Sequence, residues 1–117
     1  MGANIKHVKL HQTFHEDETG RLSCNFVKGK EFASRCFNSA DYGIYMCGGF
    51  VPEHVHDNIE EVFYIVRGSG VAVLDGKEYP VKAGDVVPIP AGVRHAMRND
   101  GTDTLENVVC SAKLEGD

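Results

Sequence analysis

From residue 21 to residue 112 the chain is a succession of short apolar runs cut by turn residues, and few architectures accept that pattern. The runs cover 22–27, 32–37, 42–47, 61–67, 71–74, 78–81, 86–89, 94–98 and 104–112. Between them stand Lys28-Gly29-Lys30, Asn38-Ser39, Gly48-Gly49, Gly68-Ser69-Gly70, Asp75-Gly76, Gly84-Asp85, Pro90-Ala91-Gly92 and the loop 99–103. Strand-length runs with turn signals every 8–12 residues or so predict a β-sandwich or barrel. Asp75-Gly76 is the strongest hairpin signal, because a type I′ turn needs positive φ at both central residues. No stretch reads as a helix, and there is no repeat or linker. At 117 residues the chain is one domain. A chain of this size buries roughly two thirds of its unfolded surface, enough for one core without disulfides.

The charge balance removes several classes of partner. The net charge is −5 and no Lys/Arg cluster occurs, which argues against nucleic acid and against anionic membranes. No apolar run approaches the roughly 18 residues of a membrane helix. The start, Met1-Gly2-Ala3-Asn4-Ile5-Lys6, lacks the apolar core of a signal peptide, and Lys6 stands where a myristoylation signal wants Ser or Thr. A cytoplasmic protein is expected, in which Cys24, Cys36, Cys47 and Cys110 are buried thiols. Residues 1–20 carry little apolar periodicity and are expected as an extended segment, at the interface of a homodimer. The barrel should occupy 21–114, and 115–117 should fray. His7, His11 and His15 recur every four residues and would share one face of a helix, but no carboxylate accompanies them at metal-site spacing.

The stretch from Gly48 to Gly68 carries the chemistry. His54 and His56 are two apart, so on a strand they share a face and can address one ion. Glu60 and Glu61 follow, and only one of them can face inward. If Glu61 does, Phe63 and Ile65 go with it; if Glu60 does, Val62, Tyr64 and Val66 go with it. Both sets are apolar, so the alternation alone leaves the choice open.

Two spacings point to a family. The first is Gly48, five residues, His54, one, His56, four, Glu61, six, Gly68. The second is Gly84, five residues, Pro90, one, Gly92, two, His95, three, Asn99. In this order, with 15 residues between them, they resemble the two signature motifs of the cupin superfamily. The resemblance implies a double-stranded β-helix, or jelly-roll barrel, of small single-domain type. It implies metal ligands at His54, His56, Glu61 and His95, and so selects Glu61 over Glu60.

Three imidazoles and a carboxylate suit one divalent transition metal, Fe, Mn, Ni, Co or Zn, and not calcium. A six-coordinate ion would keep two positions for a small-molecule substrate or ligand. The expectation is Lewis-acid chemistry of isomerase, lyase or decarboxylase type on a sugar, sugar acid or other oxygen-rich metabolite. An Fe(II) dioxygenase and a non-catalytic binding or sensor domain are the alternatives. Tyr42, Tyr45 and Tyr64 are candidate catalytic phenols. Arg35, Met46, Phe63 and Met97 are candidate substrate contacts.

Overall fold

A computed structural model of the protein describes residues 5–11, 14–32 and 36–114. Among the described residues, ten strands form two antiparallel sheets. They are β1 (His15–Glu16), β2 (Arg21–Lys28), β3 (Phe37–Tyr45), β4 (Phe50–His54), β5 (Ile59–Arg67), β6 (Ser69–Leu74), β7 (Lys77–Lys82), β8 (Val86–Ile89), β9 (His95–Arg98) and β10 (Leu105–Lys113). The larger sheet runs β1-β2-β3-β10-β5-β8 and the smaller β4-β9-β6-β7. This is the jelly-roll architecture that the turn spacing and the motifs predict.

Alternation explains how each strand contributes to the core. On β5, Phe63 and Ile65 are buried at 5% and 0% exposure, while Val62, Tyr64 and Val66 are exposed. Tyr45, Val87, Leu105 and Val109 join them from the larger sheet, and Val51, Ala72, Val81 and Met97 from the smaller. The core therefore sits between the sheets. At the β6–β7 hairpin, Asp75 and Gly76 have φ of 49° and 81°, the two positive values a type I′ turn requires. Gly68 also has no substitute, because a Cβ there would lie 2.1 Å from the Thr104 carbonyl oxygen.

Some boundaries differ from the expected ones. Residues 33–35 of the expected strand 32–37 lie outside the described residues; Phe32 follows a 3₁₀ turn, Gly29–Glu31, and β3 begins at Phe37 and passes straight through Asn38-Ser39. There the ladder overrides turn propensity, since Ser39 pairs with Lys28 on one side and Ser111 on the other. Ser69 and Gly70 likewise belong to β6 rather than to a turn. The segment Phe50–His54 forms β4 in spite of Pro52, because β4 is an edge strand.

The described part of 1–20 contains a helical turn, α1 (Val8–His11), before β1 forms the edge of the larger sheet. Lys9 reaches Glu106 and Phe14 packs edge-on against Tyr42, so this segment lies on the chain's own sheet. His7 precedes α1, His11 ends it and His15 opens β1, so no single helix carries all three. The cysteines also depart from expectation. Of the four, only Cys24 is buried; Cys36 is half-buried, and Cys47 and Cys110 are exposed. Cys47 lies in the turn after β3, and Cys110 is on the outward-facing register of β10 beside Val62. Among the described residues no helix is long and apolar enough to cross a membrane.

Candidate metal centre

Four side chains from three strands and one loop converge inside the fold. His54 ends β4, Glu61 lies on β5 and His95 opens β9; His56 follows two residues after β4. One donor atom from each falls within 4.8 Å of all the others. The register accounts for part of this, since His54 pairs directly with His95. Their rings have centroids 4.1 Å apart, and His56 is 4.9 Å from His54. The loop before β9 fixes His56, whose carbonyl accepts the Gly92 amide at 2.7 Å. The ends of the two motifs clasp each other as well. The Gly48 amide donates to the Asn99 carbonyl at 3.1 Å, and the Asn99 amide donates to Gly49 at 2.9 Å.

The tautomers are set from outside the cluster. His54 Nδ1 lies 2.8 Å from the Pro52 carbonyl, and His95 Nδ1 lies 2.9 Å from that of Val93. A carbonyl only accepts, so each Nδ1 carries the proton and each neutral ring presents a bare Nε2 to the cluster. His95 Nε2 and Glu61 Oε1 are 3.0 Å apart, and His56 Nε2 is 3.7 Å from the same oxygen. Both His95 Nε2 and Glu61 Oε1 are buried with no hydrogen bond. Burial pushes the Glu61 carboxyl up, but His95, His56 and His54 outweigh it and hold the group below its ordinary value. Burial pushes His95 down, and Glu61 more than reverses this. At His54 burial wins, and the imidazole lies below its ordinary value.

The donor set fits a metal. Opposed donors around an ion bonded at about 2.1 Å stand about 4.2 Å apart, so the observed spread closes on one ion with small side-chain shifts. A cation would satisfy Glu61 Oε1 and His95 Nε2 together; without one, among the described residues, they have only each other, at 3.0 Å.

The cluster opens on a cavity of about 270 Å³. Its wall on β2, β3 and β10 includes Arg21, Asn25, Asp41, Tyr45 and Asn107. A larger and more apolar groove, of about 360 Å³, lies between β5, β8 and β10; it touches Glu61 but none of the histidines. Burial pushes the Asp41 carboxyl above its ordinary value, against the hydrogen bonds from Asn25 and Ser39. Burial also raises the Tyr45 phenol, which stays protonated at neutral pH.

The remaining candidates are dispersed. Tyr45 lines the cavity at 1% exposure. Phe63 packs edge-on against His95 with centroids 6.2 Å apart, and Met97 is buried beneath the cluster on β9, two residues from His95. Tyr42 turns its hydroxyl away to Glu106, and Tyr64 is exposed on the outer register of β5. Met46 is exposed just beyond the end of β3. Arg35 lies outside the described residues.

Arg21, Asn25, Asp41 and Asn107 are the cavity residues that the sequence reading passes over. A signal for them exists. Arg21, Ser23 and Asn25 alternate with Leu22, Cys24 and Phe26, and Asn107 stands between Leu105 and Val109 on the core-facing register of β10. Polar side chains on a register that also carries core residues mark a cavity rather than solvent.

The comparisons with known proteins agree with this geometry. A family model described as a cupin domain matches residues 43–110. An oxalate-binding protein of Thermotoga maritima is 41% identical over 59 residues, 50% of this chain and 49% of that one. The chain spans about half or less of the length of the curated relatives it matches. Among solved structures, a predicted oxalate decarboxylase from Thermotoga maritima matches with a TM-score of 0.83 at 24% identity, over 89% of this chain and 95% of that one. A sugar phosphate isomerase from Silicibacter pomeroyi matches with a TM-score of 0.69 at 23% identity, over 81% of this chain and 60% of that one. At such identities these structures speak to the fold alone. The family model spans more than half of the sequence, contains all four clustered side chains, and meets a fold of the same kind: the chain belongs to the cupin family.

Proposed function

We propose that the protein is a metal-dependent enzyme acting on a small, oxygen-rich metabolite by Lewis-acid chemistry of isomerase, lyase or decarboxylase type. The observation that carries this is the pair Glu61 Oε1 and His95 Nε2, buried without a hydrogen bond inside a four-donor cluster that faces a cavity walled in part by Arg21, Asn25, Asp41 and Asn107. His54, His56, Glu61 and His95 would hold one Fe, Mn, Ni, Co or Zn ion. When bound, the ion would polarise a substrate oxygen and stabilise the negative charge that develops there.

The protein's own groups do the rest. The Pro52 and Val93 carbonyls hold the His54 and His95 rings in orientation. Phe63 and Met97 close the floor beneath the cluster and keep water out of it. Tyr45, a buried protonated phenol, offers a donor from the wall. Asp41, steadied by Asn25 and Ser39, is a carboxylate in the cavity outside the cluster, available to take or return a proton. The 41% identical Thermotoga maritima relative, by its name, binds oxalate, a small anion with several oxygens, which suits this reading.

The test begins with elemental analysis after loading, which should find stoichiometric transition metal; no uptake of any of the five metals overturns the reading. The loaded protein is then incubated with oxalate and with sugar acids in D₂O. Deuterium incorporation or loss of CO₂ supports Lewis-acid turnover, whereas oxygen consumption replaces it with dioxygenase chemistry. Metal uptake with no turnover identifies a binding domain. Homodimerisation belongs to the same proposal. It is supported by Val62, Tyr64, Val66 and Val86, which stand exposed on the outer register of the paired strands β5 and β8, and a monomer in light scattering at micromolar concentration overturns it.

A further inference from the structure

The cavity wall facing the cluster contains two unmatched polar atoms of opposite kind. Arg21 Nε is buried and donates to nothing, and Asn107 Oδ1 is buried and accepts nothing. Both belong to the cavity that His54 and Glu61 also line. Their placement is built. Arg21 pairs with Tyr45 across β2 and β3, and its outer nitrogen is turned to Asp17 at 3.5 Å. Asn107 donates one amide hydrogen to the Tyr45 hydroxyl at 3.3 Å. Gly43, its partner on β3, makes room for it, since a Cβ there would lie 2.8 Å from Asn107 Oδ1. The neighbouring Asp41 carboxylate bonds to neither atom: Asn25 donates to its Oδ1, and Ser39 donates to its Oδ2 at 3.2 Å.

A buried guanidinium N–H calls for an acceptor, and a charged one is strongest. A buried amide oxygen calls for a donor, which a carboxylate cannot supply and a hydroxyl can. We propose that this wall recognises a small hydroxylated carboxylic acid, Arg21 binding its carboxylate and Asn107 Oδ1 accepting its hydroxyl hydrogen. The inference deepens the function proposed above and rests on it only for the metal. It excludes neutral sugars, which offer Arg21 Nε no charged acceptor. It also ranks acids without a hydroxyl, oxalate among them, below hydroxy acids, because they leave the Asn107 oxygen unsatisfied.

The test uses the full chain loaded with zinc and titrated calorimetrically with lactate, malate and gluconate. Propionate, glycerol, glucose and glycerol 3-phosphate are the controls. At least one hydroxy acid should bind tenfold or more tightly than every control. Arg21→Met should weaken that acid tenfold or more with zinc affinity unchanged, and Arg21→Lys should recover part of the loss. Equal binding by Arg21→Met, preference for a control, or no binding by any hydroxy acid overturns the inference. A parallel reading on metal-free protein separates it from the metal proposal. The ¹⁵N side-chain resonances of Arg21 and Asn107 should shift on adding the hydroxy acid and stay still with propionate and glucose. If zinc does not bind, the function above fails and this second measurement alone decides: shifts sustain the inference, and their absence overturns it.

Discussion

Glu61 and Glu106 lie on paired strands of one sheet, β5 and β10, and face opposite ways. Both side chains are largely buried, at 14% and 7% exposure. Glu106, facing outward beneath the N-terminal segment, is fully supplied. Tyr42 and Lys9 donate to its Oε1, the latter at 2.9 Å, Thr104 donates to Oε2 at 3.2 Å, and the Arg67 guanidinium stands 3.9 Å away. Glu61, facing inward, has three imidazoles around it and no hydrogen bond to Oε1. A buried carboxylate with its donors in place is a finished structural element. One surrounded by bare imidazole nitrogens is finished only by a cation. Burial alone would rank the two alike, and the donor inventory is what separates a site from a strut.

The largest effect tests the cation directly. His95→Ala and Glu61→Gln should each lower zinc or manganese affinity by roughly a hundredfold or more, since even partners one step removed from a metal account for 10–100-fold. Thermal unfolding reads the same event. Metal at a hundredfold excess over its wild-type Kd should stabilise the wild-type protein by about 2.7 kcal/mol and either variant by about 0.4 kcal/mol or less. A Glu61→Gln protein that keeps wild-type metal affinity breaks the comparison.

Next in size is the contrast in stability without metal. Glu106→Gln loses charge-assisted hydrogen bonds from Tyr42 and Lys9 and should cost about 1–3 kcal/mol in urea unfolding. Metal affinity should stay unchanged. Glu61→Gln removes a carboxylate that the three imidazoles favour but that lacks the hydrogen-bond donors of Glu106, so it should cost less than Glu106→Gln. Equal destabilisation by the two substitutions would make Glu61 a strut as well.

Much of this contrast is legible in the sequence, and the illegible part has a physical cause. The all-β fold and the Asp75-Gly76 hairpin follow from period-2 runs and turn chemistry, both local properties. Glu61 over Glu60 does not follow from alternation, because the two faces of β5 are equally apolar; Val62, Tyr64 and Val66 are exposed in spite of their hydrophobicity. The motif spacing supplies that choice, and the burial of Phe63 and Ile65 agrees with it. Glu106 is not legible at all. Its donors come from residues 9, 42 and 104, and no local pattern announces a meeting of such distant positions. The cavity wall is legible in part: polar residues alternating with apolar ones mark it on each strand, but Arg21 and Asn107 meet at Tyr45 only through strand order. Asn38-Ser39 shows the reverse error, a genuine local turn signal overruled by ladders on both sides.

Tyr42→Phe probes one donor to Glu106 and should cost about 1 kcal/mol. Its pH dependence carries a sign. Burial pushes the Glu106 carboxyl up, but Tyr42, Lys9 and Thr104 hold it below the ordinary 4.5. A lowered folded-state value means that the stabilisation is fully present above 4.5 and is lost as pH falls through the lower, folded value. The difference between wild type and Glu106→Gln should therefore shrink on acidification below that point. A gap that widens there contradicts the assignment of Glu106 as a stabilised carboxylate.

The smallest effect belongs to Lys9. Its side chain is 52% exposed, and it lies 5.5 Å from the centre of the Tyr42 ring. Exposed ion pairs contribute about 0–1 kcal/mol and are screened by salt, so Lys9→Ala should cost less than Tyr42→Phe, and the cost should fall at high ionic strength. Paired with Tyr42→Phe in a double-mutant cycle, the substitution measures whether the two donors support Glu106 independently. Coupling is expected, because both address Oε1 and Lys9 also stacks over the ring. Strict additivity would mean that the N-terminal segment only rests on the sheet, and that Tyr42 and Thr104 alone make Glu106 a strut.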